Sequence, residues 1–437
     1  MRFFLPLFLF TGSCTFEASA QTTPTVQITA TSLQQLLDAD DYIEFAQQLP
    51  RAANLTTDQH MYFLGMLAYH LGRSDDAIKP LVAAANTKDS SLTANQIESA
   101  LETLGENARK ISQYGASAQM YEDIDKIFGP KMGEADKLIR QKRHLAVLLL
   151  HVPPQTVQFA GDFTLRRTGD EYPVAIAGKE FSAQLDTGAT VSLLSASTAK
   201  AWGVTMLDGS GRLYGFGGGE FSAQPAVIPV LNIGKAELHN VVVFVTSDEN
   251  LYIAPIKHQI NALLGFPVAS ALGRLTFAKD GSLTASAQSP PRDPSTDARL
   301  WIGGSSVLVE LGTLPIITGG RLTGASGQRL FDLDTGSAST YLTDHYLAEH
   351  TNIFHGPPPE TARLAGPGGI HEIPAYAAKD LPLFIGNTLI LLNGPNILTQ
   401  PQGGETEHFF GLIGQDTLHL FSSYTIDLRN MTFSVHP

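Results

Sequence analysis

The sequence predicts a multidomain chain: an N-terminal α-helical, repeat-like domain followed by two homologous, mainly β lobes. Three observations carry this. The tripeptide Asp-Thr-Gly occurs twice, as Asp186-Thr187-Gly188 and Asp334-Thr335-Gly336, each in the same setting. Their surroundings correspond over about a hundred residues, a period far longer than a solenoid unit. Residues 31–150 have a different character: they are rich in Ala, Leu, Gln and charged residues at helical periodicity. A length of 437 residues accommodates about three domains of ~150 residues each.

The elements follow in chain order. Residues 1–20 read as a secretory signal, with Arg2 as a minimal basic start, an apolar run from Phe3 to Phe10, and Ala18-Ser19-Ala20 before Gln21. The run is too short for the ~20 residues of a membrane span. Cleavage after Ala20 fits better than lipid anchoring at Cys14, because Thr11 stands where a lipidation site usually has Leu. Cys14 is the one cysteine, so a cleaved chain has no disulfide. That combination points to secretion in a bacterium, and to the periplasm of a Gram-negative one.

Residues 21–150 form the helical domain. Tyr62, Gly65, Ala68, Gly72, Ala77 and Leu81 resemble a tetratricopeptide helix pair, in which small residues let two helices approach and a Gly turn joins them. A weaker echo runs through Ala108, Tyr114-Gly115, Ala118 and Tyr121, with Gly115 answering Gly72 and a loop around Thr87–Thr93 absorbing the excess length. Such a domain would dock a protein partner or cap the rest of the chain.

His151-Val152-Pro153-Pro154 opens the first lobe, residues 151–288. Tyr172–Ala177 and Phe181–Leu185 read as strand, turn, strand. A β-prone run and a short helix follow the Asp-Thr-Gly. Then come a Gly-rich hairpin, Tyr214 to Gly219, and Ala262-Leu263-Leu264-Gly265. Residues 289–298, Pro-rich, form a semi-rigid linker. The second lobe, residues 299–437, repeats the series with Leu330–Leu333, the second Asp-Thr-Gly, Leu364 to Gly369, and Gly411-Leu412-Ile413-Gly414.

These motifs resemble the aspartic peptidases, specifically the retropepsin-like type, over roughly residues 155–437. The resemblance implies two aspartic-protease lobes in one chain, with Asp186 and Asp334 catalytic. Hydrolysing an amide without a metal needs an activated water and a polarised carbonyl. Two carboxylates sharing one proton supply both, because like charges this close cannot both ionise. The resemblance implies that Thr187 and Thr335 lock the two loops together. Gly188 and Gly336 allow the sharp turns. Tyr214, Gly217, Gly218, Gly366 and Gly368 belong to flaps over an extended peptide. Ser337, where the first copy has Ala189, is expected to donate its hydroxyl to Asp334 and favour that carboxylate's charged form. Asp416 fits the acid that family members often carry two positions after the apolar-apolar-Gly element, whereas Pro267 does not. Asp332, two residues before Asp334, is an extra acid that either raises the pKa values of the pair or is solvated.

The formal net charge of −13 without any basic run argues against nucleic acid and anionic membrane. No cofactor and no metal is implied. His345, His350 and His355 recur every five residues rather than at a zinc spacing, and read as surface histidines. The expected partner is a peptide or unfolded protein substrate, together with a protein held by the helical domain. The alternative is a catalytically weak or silent peptide-binding or scaffold protein on the same fold. Removing residues 21–150 is expected to spare cleavage of small peptides.

Overall fold

A computed structural model describes residues 27–86, 90–129, 137–215, 219–254, 257–304, 306–313, 316–318, 321–323, 327–350, 354, 356–367, 369–378, 381–401 and 409–436. The signal-like segment, Cys14, Gly217, Gly218, Gly368 and His355 lie outside the described residues. Helices occupy the N-terminal part and a large β-rich region follows. Among the described residues, no helix is long and apolar enough to cross a membrane.

The helices are α1 (Ala30–Asp38), α2 (Tyr42–Gln48), α3 (Thr57–His70), α4 (Ser74–Ala85), α5 (Ala94–Lys110), α6 (Tyr114–Phe128) and α7 (Lys137–Leu148). Local sequence sets their ends. Thr29, Thr56 and Thr93 cap α1, α3 and α5. In each, the Thr oxygen accepts from the third residue's amide, and that residue's side chain accepts in return. Asp40, Gly72 and Ser112 follow at positive φ, 49°, 70° and 60°. The next residue's amide then reaches back to Leu36, Ala68 or Ala108, closing the same C-terminal turn three times. Gly72 was expected to be answered by Gly115. Instead Ser112 adopts the left-handed backbone, and Gly115 is the second residue of α6. Serine can take that conformation at some cost, which is why composition pointed to the neighbouring glycine.

Gly65 and Gly105 let paired helices touch. A Cβ on Gly65 would fall 2.5 Å from Leu81 Cγ, and one on Gly105 would fall 2.9 Å from Tyr121 Cε2.

The β-rich region holds a nine-stranded and a fifteen-stranded sheet. In the first, strand Ala262–Leu264 lies parallel to Lys179–Leu185 and antiparallel to Ser192–Ser195. In the second, Gly411–Ile413 lies parallel to Gly327–Leu333 and antiparallel to Tyr341–Leu342. Strands from both stretches of sequence join in the larger sheet, where Arg274–Ala278 pairs antiparallel with Ser423–Asp427. The hydroxyls of Thr276 and Thr425 meet there at 2.9 Å. Phe277 stacks on Tyr424 with ring centroids 4.9 Å apart.

The helices are not a separate body. The buried cluster that begins with Leu33, Phe45 and Phe63 continues without a break into Trp301, Met431 and Phe433. A second cluster joins Tyr114, Leu149 and Val152 to Leu213, Phe221 and Leu263. His70 seals the first junction: its Nδ1 lies 2.8 Å from the Ile302 carbonyl, and its ring stacks on Tyr42. Helix α7 seals the second, with Leu145 and Leu148 pressed where side chains on Gly211 and Gly209 would begin.

Candidate active site

Asp186 and Asp334 follow directly on the strands Lys179–Leu185 and Gly327–Leu333. Each has its amide tied to the neighbouring parallel strand, Asp186 to the Leu264 carbonyl at 3.0 Å and Asp334 to that of Ile413 at 3.2 Å. The chain then turns so that two amides point back at the carboxylate. Gly188 and Ala189 donate to Asp186 Oδ1 at 2.8 and 3.1 Å. Gly336 and Ser337 donate to Asp334 Oδ1 at 2.7 and 3.0 Å.

The structure brings the two turns face to face. The Thr187 hydroxyl donates to the Leu333 carbonyl at 2.7 Å and accepts from the Thr335 amide at 3.2 Å. Reciprocally, the Thr335 hydroxyl donates to the Leu185 carbonyl at 3.1 Å and accepts from the Thr187 amide at 3.1 Å. Both threonines are buried. Each glycine lies beneath the opposite acid: a Cβ on Gly188 would stand 2.5 Å from Asp334 Cγ, and one on Gly336 would collide with the Asp186 carboxylate. The two carboxyls are hydrogen-bonded to one another.

Burial first, then the charge of Asp334 and the hydrogen bond to it, push the Asp186 carboxyl well above the usual carboxylate range. Burial also raises Asp334, but its two amide donors and the bond from Asp186 counteract that. Both carboxyls are thus held above the ordinary carboxylate range, and the proton they share belongs to the pair.

The pair is backed from below. Gly265 and Gly414 are the positions where the apolar-apolar-Gly element passes against the Asp-Thr-Gly turn. A Cβ on Gly265 would lie 2.5 Å from the Ala189 carbonyl oxygen, and one on Gly414 would lie 2.7 Å from that of Ser339. Their amides donate to the hydroxyls of Ser192 and Thr340 at 3.1 and 3.0 Å. These two hydroxyls escaped the sequence reading, although their separation of 148 residues was a signal. Asp416 accepts from the Thr340 amide and hydroxyl, the latter at 2.6 Å. Gln415 donates to the Thr335 carbonyl at 2.6 Å.

Residues 172–268 match the family model described as aspartyl protease. That stretch contains Asp186, its supporting glycines and the first hairpin flap. Among solved structures, a retropepsin-like aspartic protease from Rickettsia conorii is 20% identical, over 30% of this chain and 92% of that one, with a TM-score of 0.22. None of the curated proteins compared with the chain matches it. The family match and the geometry of the pair support an aspartic-protease fold for the β-rich region.

Three expectations need correction. The Ser337 hydroxyl donates to the Ser339 carbonyl at 3.1 Å, and only its amide serves Asp334. A tight turn with an adjacent carbonyl captures the hydroxyl locally. Of the two readings of Asp332, as an acid that raises the pair's pKa values or as a solvated one, the second falls, because it is 5% exposed. His350 is buried rather than superficial, stacked on Tyr346 with its Nδ1 2.7 Å from the Tyr346 carbonyl.

The flap segments are two hairpins. Strand Gly211–Tyr214 pairs with Glu220–Ile233, and Glu360–Gly366 pairs with Gly369–Ala377, Gly366 facing Gly369. Their tips meet: the Pro367 carbonyl occupies the place where a side chain on Gly215 would begin. Tyr214 is half exposed, and its hydroxyl accepts from Gln141 of α7 at 2.9 Å, so it is engaged with the helical region. His144 of the same helix lies 2.8 Å from the Ser210 carbonyl. No sequence signal announced this grip. Among the described residues, no group of three or more His, Cys, Asp or Glu is arranged to hold a metal ion.

Proposed function

We propose that the chain is an aspartic endopeptidase that cuts extended peptide segments. The observation that carries this reading is the hydrogen-bonded pair Asp186–Asp334, each acid cradled by two amides and both turns cross-locked by threonines. In the reaction, Asp334 takes a proton from a water, and the oxygen of that water attacks the scissile carbonyl carbon. Asp186 gives its proton to the carbonyl oxygen, leaving a neutral tetrahedral diol. The proton on Asp334 then passes to the leaving nitrogen, a diol hydroxyl returns its proton to the pair, and the C–N bond breaks. The hairpins whose tips meet at Gly215 and Pro367 would cover the bound segment.

The finer reading is of two homologous lobes in one chain. The hydroxyl contacts Thr187–Thr335 and Thr276–Thr425, at separations of 148 and 149 residues, support a local two-fold axis between them. The helical region would be tetratricopeptide-like, and its three repeated turns support that. Export through residues 1–20 is part of the same reading and rests on their composition alone.

The test is digestion of an unfolded-protein mixture from about pH 3 to about pH 7, with Asp334→Asn and Asp186→Asn beside the unaltered chain. Each substitution is expected to lower kcat/KM by roughly 100-fold to 10,000-fold or more, with the melting temperature retained. Peptide binding without cleavage by the unaltered chain at any pH would replace this reading with a peptide-capturing protein.

A further inference from the structure

Asp332 has no task in the machinery described so far. It lies on strand Gly327–Leu333, paired in register with Leu308 on one side and Leu412 on the other. Both neighbours are buried and apolar. Alternation along the strand places its side chain on the face of Asp334, opposite the fully buried Phe331 and Leu333. Its carboxyl oxygen Oδ1 has no hydrogen-bond partner among the described residues. Burial and the charge of Asp334 hold the carboxyl well above the usual range, against the Ser306 hydroxyl and the Leu333 backbone, which favour its charged form but leave Oδ1 unpartnered.

The corresponding place on the other side of the pair is Gln184, which faces Leu263 as Asp332 faces Leu412. Gln184 is satisfied: its amide nitrogen lies 3.0 Å from His258 Nε2. The two sides of the catalytic pair therefore differ. One presents a matched polar couple, the other an acid with an unused acceptor. A buried acceptor left unpaired is destabilising, and an apolar residue would suit Leu308 and Leu412 better. The missing donor is accounted for if a ligand brings it.

We propose that Asp332 is a specificity-determining residue: it forms the polar end of the subsite beside Asp334 and selects a substrate side chain that ends in a hydrogen-bond donor, Lys or Arg foremost. The aliphatic stem of such a side chain suits Leu308 and Leu412, and its cationic end suits the carboxylate. The inference rests on the peptidase reading for the use of the site, but its test does not require hydrolysis.

The experiment compares two non-cleavable reduced-amide peptides that differ at a residue flanking the reduced bond, lysine against norleucine, with both flanks scanned. Binding is measured by calorimetry to the unaltered full chain, to Asp332→Asn and to Asp332→Leu, with melting temperatures as the check on folding. On one flank the unaltered chain is expected to bind the lysine peptide roughly tenfold or more tightly than the norleucine peptide. Asp332→Asn, the near-isosteric change, should remove that preference, and Asp332→Leu should reverse it. An equal preference in all three proteins, no preference in the unaltered chain, or binding of neither peptide overturns the proposal. Lysine-selective binding in a chain that digests nothing keeps the role of Asp332 and sinks hydrolysis instead.

Discussion

At Thr187 and Thr335 one hydroxyl does two jobs. It donates to a carbonyl of the facing strand and accepts from the facing threonine's amide. Valine has nearly the same shape but can do neither. Thr335→Val leaves the Leu185 carbonyl and the Thr187 amide without their partner, at about 1–3 kcal/mol for each buried group. Urea unfolding should show a loss of about 2–6 kcal/mol for the two groups together, while Thr335→Ser recovers most of it. Ser337 behaves differently. Its hydroxyl is spent on Ser339, so Ser337→Ala should leave the acid limb of the pH–rate profile where it is. A displaced limb would show that the hydroxyl turns to Asp334 during the reaction. The high-pH limb belongs to the pair. Because both carboxyls are raised by burial, the singly protonated form should persist above the ordinary carboxylate range.

At the scale of elements, the two hairpins matter through their tips. Gly215 has no room for a side chain because the Pro367 carbonyl stands there. Gly215→Val should keep the hairpins apart and lower kcat/KM by about tenfold or more, as misplaced covering elements do. The melting temperature should barely move, since Gly215 and Pro367 are only half-buried. A steady-state assay beside a thermal melt checks both halves of this expectation. Helix α7 holds the first hairpin from outside, through Gln141 and His144 and through Leu145 and Leu148. Between that helix and the hairpin lies a cavity of about 790 Å³ lined by Lys137, Arg140, His144 and Arg212 among others.

At the scale of the whole molecule, the helical region and the β-rich region share buried clusters. Truncation before residue 151 would expose Trp301 and Leu213, so the expectation that small-peptide cleavage survives it meets a common core. The junction at His70 is also pH-sensitive. Burial lowers its pKa from 6.5 to about 4, so the folded chain holds a neutral imidazole where the unfolded chain binds a proton. The sign follows from linkage: stability is full above pH 6.5 and declines as the pH falls towards about 4. The complete loss is roughly 3 kcal/mol. Thermal melts of the unaltered chain and of His70→Gln across that interval should converge as the pH drops, because only the former carries this penalty.

How much was legible in advance follows from the same residues. Asp-Thr-Gly twice, with apolar-apolar-Gly at the same interval, named the pair and its backing, because a turn that aims two amides at a carboxylate needs those residue types in that order. Gly72 marked the turn between two helices for the same local reason, whereas the capping threonines Thr29, Thr56 and Thr93 went unread. Ser112, adopting a glycine's conformation, was hidden because its backbone is set by the packing of α5 on α6, not by its own preference. The orientation of the Ser337 hydroxyl, the burial of Asp332 and His350, and the grip of α7 on the first hairpin were likewise beyond a linear reading. Each depends on which distant strand or helix lies against the residue. Sequence by itself determined which groups form the candidate acidic pair, since that is written in local turn geometry. Only the tertiary structure decided which groups are left wanting a partner, since burial and hydrogen-bond satisfaction belong to the assembled chain.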